Sequence, residues 1–352
     1  MREALARRFL HFDEWYGDVV FGNGNINDTF RIDVGTGDLH RAYLLQRLNH
    51  HVFREPEQVM QNMDAVCRWL AGQEYPYQVA APVAMPDGRT LLQDEAGNYW
   101  RVFPFLENTF SPEGVSDPEI AREAARAYGA FASALRYFPA EELAETIPGF
   151  HDTDRRWDHF LDVLDRDPAG RAAATKPEIE AIFAAKPVFD RISLLKKSGA
   201  LPLRVTHNDT KAGNVLFDKT TRKAVAVIDL DTVMPGTILS DFGDMVRTFV
   251  PDRQEDDPSK VNLRTEVLEA LYEGFLEKTG DFLSPAEKEH LLLGGAWITG
   301  EQALRFLTDR LAGDVYYKIR YAEHNLVRTR NQLALFEAIS LRLSRFLDFP
   351  GF

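Results

Sequence analysis

Several features that mark other protein classes are rare in this chain or absent from it. Cys67 is the single cysteine among 352 residues, which excludes an intrachain disulfide and is typical of a reducing compartment. The sequence contains no run of about 18 apolar residues, the length needed to span a bilayer. Residues 1–12 carry charges where a signal peptide needs an apolar block. We therefore expect a cytoplasmic protein with no membrane partner.

Positive charge is also scarce. The chain has 41 Lys and Arg against 54 Asp and Glu, and its formal net charge is −13. A nucleic-acid partner would need a concentrated basic surface, so we expect none. The histidines lack metal-ligand spacing, so no zinc site is predicted. Hydrophobic residues make up 45% of the chain and charged residues 27%, the balance of a globular enzyme.

The first part of the chain is rich in strand patterns. Residues 18–105 alternate polar and apolar residues in short segments, and an amphipathic helix is predicted at 55–70. The order strand, strand, helix and three strands predicts an antiparallel sheet with one helix. The predicted strands are 27–34, 41–48, 79–84, 90–93 and 100–105.

The second part is dominated by amphipathic helix patterns. Pro112 and Gly114 break the chain near 107–116, so we predict a strand-rich lobe at 1–107 and a helix-rich lobe at 108–352. The fold class is therefore α+β, with a nucleotide expected in the cleft between unequal lobes. The predicted helices are 117–137, 155–166, 177–197, 262–278, 285–311 and 324–347, and strands are predicted at 214–217 and 224–229.

One motif carries most of the chemical information. Asp209 follows His207 by two residues, Asn214 comes five residues later, and Asp229 ends an apolar run. Carboxylate and amide oxygens are suitable ligands for magnesium, so Asn214 and Asp229 are predicted to hold the metal and Asp209 to act as general base. The alternative is that the three residues cap a turn, adopt a left-handed conformation and end a strand.

A glycine-containing segment precedes the first predicted strand. Gly22, Asn23, Gly24 and Asn27 could lay backbone N–H groups over the phosphates of a nucleotide, although an ordinary hairpin turn has the same composition.

Kinase-like sites normally carry a phosphate-binding lysine on the third strand of the sheet. This chain has no lysine at the corresponding place, which lies in the predicted strand 41–48. Its place falls on Gln46 or Arg47, and only one of them can face the cleft. Arg47 is the better phosphate ligand, and Glu57 is its nearest candidate partner; a solvated strand charge is the alternative.

Further polar residues follow the motif. Asp231 lies two residues after Asp229 and could face the same cleft, toward metal or a substrate hydroxyl. Asp241 and Asp244 are predicted to cap the next helix or to buttress the catalytic loop. Arg305 belongs to a late group of polar and planar residues that predicts either a polar substrate pocket or interhelical pairing.

From His207 to Asp229 the sequence resembles the aminoglycoside phosphotransferase and choline kinase family, and the likeness extends over about residues 15–345. Residues 203–211, 228–236, 241–244 and 323–330 are similar to the N-acetylhexosamine 1-kinase subgroup. The resemblance implies a bilobal protein-kinase-like fold. It also implies magnesium-dependent transfer of the γ-phosphate of ATP to the anomeric hydroxyl of N-acetylglucosamine or N-acetylgalactosamine.

The resemblance also implies site residues. An adenine-binding hinge would include Phe103, Phe105 and Leu106, and the sugar would contact Asn25, Arg305 and Tyr316, with Asp209 and Asp231 beside it. We expect a monomer or a weak homodimer with a small-molecule sugar substrate. An aminoglycoside, choline or homoserine kinase and a non-catalytic nucleotide-binding scaffold remain alternatives.

Overall fold

The computed structural model describes residues 1–22, 26–112, 114 and 117–343. Its first lobe is built on a five-stranded sheet with strand order β1-β2-β3-β5-β4, and each neighbouring pair runs antiparallel. The elements of this lobe are α1 (Arg2–Phe9), β1 (Glu14–Val20), β2 (Asp28–Thr36), β3 (Leu39–Leu48), α2 (Pro56–Ala71), β4 (Leu92–Gln93) and β5 (Tyr99–Pro104).

Alternation along the strands explains how this sheet is packed. Ile32 and Val34 of β2, Leu45 of β3 and Val102 of β5 are buried together against Phe9 of α1. Because successive side chains point to opposite faces, the intervening polar residues lie on the other face. The antiparallel sheet with a following helix is thus confirmed, while α1 and β1 are additions to the prediction.

The strand predicted at 79–84 is wrong. Pro82 lies in its middle and has no N–H to donate to a strand ladder. The segment keeps one sheet-like contact, from Val83 N–H to the Val102 carbonyl at 2.7 Å, while Gln78 N–H donates to Val225 O of the other lobe. This segment therefore runs between the lobes as an irregular connection.

The second lobe is mostly helical. Its pairs α3 and α7, α6 and α8, and α8 and α9 pack against each other. The predicted helices are confirmed within a few residues at each end, as far as the structure describes them. The elements are β6 (Thr109–Phe110), α3 (Pro118–Ala134), α4 (Thr153–Arg166), α5 (Lys176–Lys197), β7 (Arg204–Thr206), β8 (Val215–Asp218), β9 (Ala224–Val227), β10 (Met234–Gly236), α6 (Ile238–Phe249), α7 (Thr265–Thr279), α8 (Pro285–Ala312) and α9 (His324–Leu343).

Helix α6 lies at the centre of this lobe. Its apolar residues recur at helical spacing on one face, and most of the polar residues on its other face are buried as well. It approaches α8 closely because Gly243 has no side chain: a Cβ there would lie 2.3 Å from the Gly294 carbonyl oxygen. This close packing brings Arg247 of α6 within electrostatic range of Arg305 on α8.

The helical lobe also contains two small sheets. β7 pairs with β10, and β8 pairs with β6 and β9. The loop that contains Asp209 connects β7 to β8, and Asp229 follows β9. Among the described helices, none combines the length and the apolarity needed to cross a bilayer.

Candidate active site

The loop after β7 is anchored by a buried histidine. His207 is fully buried, its Nε2 lies 3.0 Å from the Ile228 carbonyl, and Asp209 N–H donates to its Nδ1 at 3.3 Å. Burial lowers the pKa of His207, so the ring is neutral, and these contacts assign its proton to Nε2. His207 therefore shapes the loop rather than carrying charge.

Asp241 of α6 holds the same loop through hydrogen bonds to its backbone. Its two carboxylate oxygens accept the backbone N–H groups of His207 at 2.9 Å and Asn208 at 2.8 Å. Asn208 has a φ of 63°, in the left-handed region that asparagine tolerates better than most residues. Burial raises the pKa of Asp241 to about 7 despite these donors. The predicted buttressing role of Asp241 is confirmed.

Asp209 lies at the centre of a compact polar group. Lys211 Nζ donates to its Oδ2 at 2.7 Å, and Asn214 Nδ2 donates to the same oxygen at 2.8 Å. Burial would raise the pKa of Asp209, but the positive charge and hydrogen bond of Lys211 outweigh it and the net pKa is lowered. The carboxylate is thus held ionised and oriented, with a partly exposed side chain.

Asp229 is brought next to this group by the backbone. Ile228 N–H donates to the Asn214 carbonyl at 2.9 Å, which ties the end of β9 to the loop that contains Asp209. Asp229 itself has a φ of 63°, so its direction is set by a left-handed turn rather than by the strand. The three residues predicted from the motif therefore lie in one place.

The donor set fits a hard divalent cation. Desolvation by the surrounding protein is the largest cause that raises the pKa of Asp229 to about 7, and the negative charges of Asp231 and Asp209 come next. A cation beside Asp229 would relieve this repulsion, and Mg²⁺ in phosphoryl-transfer sites needs one or two carboxylates because phosphates and water complete its shell. No group of three or more His, Cys, Asp or Glu side chains suited to a metal occurs in the described part of the chain.

The first lobe contributes a buried ion pair to the same region. Arg101 of β5 donates from Nη1 to Asp231 Oδ1 at 2.6 Å and from Nη2 to Oδ2 at 2.8 Å. Asn27 Nδ2 also donates to Asp231 Oδ2 at 2.8 Å. Asp231, predicted to face metal or substrate, uses its carboxylate to hold the other lobe.

The basic residue predicted from β3 needs correction. Gln46 faces inward and its Oε1 accepts from Arg101 Nε at 2.8 Å, whereas Arg47 is paired with Asp28 on the surface and its side chain is 45% exposed. The alternation of a strand allows only one neighbour to face inward, and here it is the glutamine. Glu57, the predicted helix partner, is exposed.

The residues predicted to surround the nucleotide are partly described. Gly22 has a φ of 79°, which favours glycine. The rings of Phe21 and Phe105 lie 5.3 Å apart, so the end of β1 meets the segment predicted as the hinge. Phe103, Phe105 and Leu106 are each half-buried. The predicted contacts of Asn23, Gly24 and Asn25 lie outside the described residues.

Two of the predicted sugar contacts, Arg305 and Tyr316, lie near each other on the helical side. Arg305 of α8 donates to Gln302 Oε1 at 3.0 Å, and its guanidinium lies 5.6 Å from the Tyr317 ring centre. The rings of Tyr316 and Tyr317 are 4.8 Å apart, and Tyr316 is 72% exposed. These side chains form one wall of the region beyond Asp209.

Sequence reasoning missed Arg247 of α6, which connects this wall to the centre. Its guanidinium donates to Asp244 Oδ1 and Glu255 Oε1, and it interacts electrostatically with both Asp209 and Arg305. Lys211 and Arg101 were missed as well. Lys211 stands inside the motif, and Arg101 is a lone charge in an apolar strand, which signals a buried partner.

Comparison with known proteins gives the family. The model of the phosphotransferase enzyme family matches residues 19–282. An aminoglycoside phosphotransferase structure from Alicyclobacillus acidocaldarius is 13% identical, with a TM-score of 0.62 over 98% of this chain and 97% of that one. A spectinomycin phosphotransferase in complex with ADP and spectinomycin is 12% identical, with a TM-score of 0.59 over 96% and 98%.

A choline kinase from Cryptosporidium parvum Iowa II is 12% identical, with a TM-score of 0.56 over 94% of this chain and 90% of that one. These structural likenesses establish the bilobal, kinase-like fold, in agreement with the predicted α+β class. Because the family model spans most of the sequence, the chain belongs to the phosphotransferase enzyme family.

Proposed function

We propose that this protein transfers the γ-phosphate of ATP, with Mg²⁺, to the anomeric hydroxyl of an N-acetylhexosamine, giving the sugar 1-phosphate. The observation that carries the proposal is the grouping of Asp209, Lys211 and Asn214 beside Asp229, between a sheet lobe and a helical lobe. The sequence segments shared with the N-acetylhexosamine 1-kinase subgroup support the choice of acceptor.

Asp209 is the proposed general base. The acceptor oxygen would form a bond to the γ-phosphorus, the bond from that phosphorus to ADP would break, and the hydroxyl proton would pass to the Asp209 carboxylate. Lys211 and Asn214 fix this carboxylate in one orientation. Since most of the acceleration in phosphoryl transfer comes from alignment and charge neutralisation, a positioned base of low pKa suffices.

Asn214 and Asp229 are the proposed ligands of the metal. Bound magnesium would supply positive charge to the phosphate oxygens. Asn214 Nδ2 is turned toward Asp209, which leaves its amide oxygen for the metal.

Lys211 is the proposed cation for the transferred phosphate. Its ammonium group has three N–H donors, and the structure shows one of them in a hydrogen bond to Asp209. Its side chain is 47% exposed, so a phosphate has access to it. Burial lowers its pKa, but the charges of Asp209 and Asp229 raise it more, so the group stays protonated.

Charge on the helical wall favours a neutral acceptor. Arg305 interacts electrostatically with Arg247 and Arg156, and it shares the attraction of Glu301 with His151 and Arg156, which contact that carboxylate directly. A cationic acceptor such as an aminoglycoside or choline would meet like charge here, which disfavours binding. A sugar offers hydroxyl and carbonyl oxygens that guanidinium groups can donate to, and the tyrosine rings can contact its apolar face.

An acceptor screen with γ-labelled ATP tests the proposal. N-acetylglucosamine and N-acetylgalactosamine should be phosphorylated, and phosphorus NMR should locate the phosphate on carbon 1. Choline, an aminoglycoside and homoserine serve as the comparison set. Exclusive phosphorylation of an amine-bearing cation would overturn the sugar assignment, and nucleotide binding without transfer to any acceptor would favour the scaffold alternative.

A further inference from the structure

Three residues from distant parts of the chain join the two lobes, and together they are called the inter-lobe clasp: Arg101 of β5, Asn27 before β2, and Asp231 after β9. We propose that the clasp is the positioning device for bound Mg–ATP and takes the place of the lysine missing from β3. The proposal rests on the proposed nucleotide function. It assigns no phosphate contact to Arg101.

All the N–H donors of Arg101 already have partners within the protein, so Arg101 can position other residues but has no free donor for a phosphate. A guanidinium has five N–H donors. Two go to Asp231, two go to Gln46 Oε1 from Nε and Nη2, and the last faces Met60 Sδ at 3.5 Å. The side chain is only 1% exposed. A phosphate could therefore reach Arg101 only by displacing a partner.

The clasp acts on both sides of the nucleotide cleft. Asn27 is the last residue of the glycine-containing segment; its Oδ1 accepts Asn49 N–H at 2.9 Å, and its Nδ2 donates to Asp231. Asp231 stands two residues after Asp229, and its carbonyl accepts from Thr146 Oγ1 at 3.1 Å. Asn27 and the turn that would bind the metal are thus fixed to one carboxylate.

A second contact supports the same alignment. Asn62 of α2 donates to the carbonyls of Ala144 and Val233 at 2.8 and 2.9 Å, and accepts from Ala144 N–H at 3.0 Å. Helix α2 is therefore bound to the helical lobe through an amide, without a glutamate that pairs to β3. The two lobes keep their relative position through neutral and paired groups, while Lys211 keeps donors beyond the one that it gives to Asp209.

The experiment measures binding of a non-hydrolysable ATP analogue with Mg²⁺ by calorimetry, without acceptor, together with melting temperature. The variants are Arg101→Lys, Asn27→Ala, and the double variant Arg101→Met with Asp231→Leu. The double variant is included because loss of one partner leaves a buried charge unpaired, whereas an apolar pair can restore packing. The control is Arg122→Met with Glu273→Leu, a more exposed ion pair between α3 and α7.

We expect Arg101→Lys and the double variant to weaken analogue binding by about tenfold or more, because a lysine is not bidentate and an apolar pair cannot hold Asn27. Asn27→Ala should weaken it by a smaller factor, and the control should stay within about twofold. A double variant that melts like the wild type and binds the analogue within about twofold would overturn the clasp. So would an unchanged affinity of folded Arg101→Lys and Asn27→Ala proteins.

The experiments distinguish failure of the proposed acceptor from failure of the clasp. A wild-type protein that binds the analogue but phosphorylates no sugar would overturn the proposed acceptor, while the variants would still decide the clasp. A wild-type protein that does not bind the analogue would overturn both. With active protein, Arg101→Lys and Asn27→Ala should raise the KM for ATP and leave the KM for the acceptor within about twofold, a split that a purely structural defect would not produce.

Discussion

Two charged pairs lie side by side between the lobes and differ in almost every physical respect. Lys211 and Asp209 are 2.7 Å apart with side chains 47% and 30% exposed, and they lie two residues apart in the sequence. Arg101 and Asp231 are 2.6 Å apart with side chains 1% and 3% exposed, and they lie 130 residues apart. The first pair is local in sequence and exposed to solvent, and we call it the open pair. The second joins residues far apart in the sequence and is buried, and we call it the sealed pair.

The difference teaches which basic residue can act on a substrate. The donors of Arg101 are occupied, so a ligand gains from it only the alignment that it imposes. Lys211 shares its carboxylate with Asn214 and keeps donors and solvent access, so it can turn toward a phosphate at small cost. In this protein the sealed pair builds the site and the open pair is available for chemistry.

Replacement of Asp209 should have the largest effect. Asp209→Asn keeps the size of the side chain but cannot take up the acceptor proton, so kcat should fall by about 10²–10⁴-fold. Binding of Mg–ATP should change little, because the clasp is untouched. Steady-state kinetics and calorimetry on the same preparation measure both, with the exposed Asp281→Asn as control; near-normal turnover would remove Asp209 from the role of base.

Loss of Lys211 should rank next. Lys211→Met should lower kcat by about 10²–10³-fold, the effect of removing one charge-stabilising donor. Because Lys211 lowers the pKa of Asp209, its loss should also move the acid limb of the pH–rate profile to higher pH. The control is Lys219→Met in the exposed turn after β8. An unshifted acid limb would show that the two side chains do not interact in the working enzyme.

The contrast between the pairs also explains what sequence alone could predict. Asp209, Asn214 and Asp229 belong to one motif and the strand that follows it, and residue spacing was enough to place them together. The amphipathic helices were equally predictable because each carries its own periodic pattern. Helix α6 was absent from the predicted helices although its apolar residues also recur at helical spacing, and its polar face is buried instead of exposed.

The clasp could not be predicted because its information is not local. Nothing near Asp231 indicates that its partner is Arg101, and nothing in β3 indicates that Gln46 rather than Arg47 turns inward. Only the register that sets Gln46 opposite Arg101 brings these groups together. A lone arginine between Trp100 and Val102 does signal a buried partner, but it does not name one.

Magnesium binding should sharpen the comparison at Asp229, which lies between the two pairs. Its pKa of about 7 means that metal binding below that pH must displace a proton. The apparent dissociation constant for Mg²⁺, at fixed nucleotide, should therefore fall about tenfold per pH unit up to about pH 7 and level off above it. Asp229→Asn should bind weakly with no such slope, and a flat wild-type profile would contradict the raised pKa.

The smallest expected effect concerns Arg47, the neighbour of Gln46 on β3. Its ion pair with Asp28 is exposed, and exposed pairs contribute about 0–1 kcal/mol to stability. Arg47→Gln should therefore leave the KM for ATP within about twofold and the melting temperature nearly unchanged. Steady-state kinetics at low salt, where surface charge acts most strongly, is the sensitive measurement. A tenfold rise in the KM for ATP would mean that Arg47 leaves Asp28 to reach the phosphates, and the basic residue of β3 would then act as its sequence position predicts.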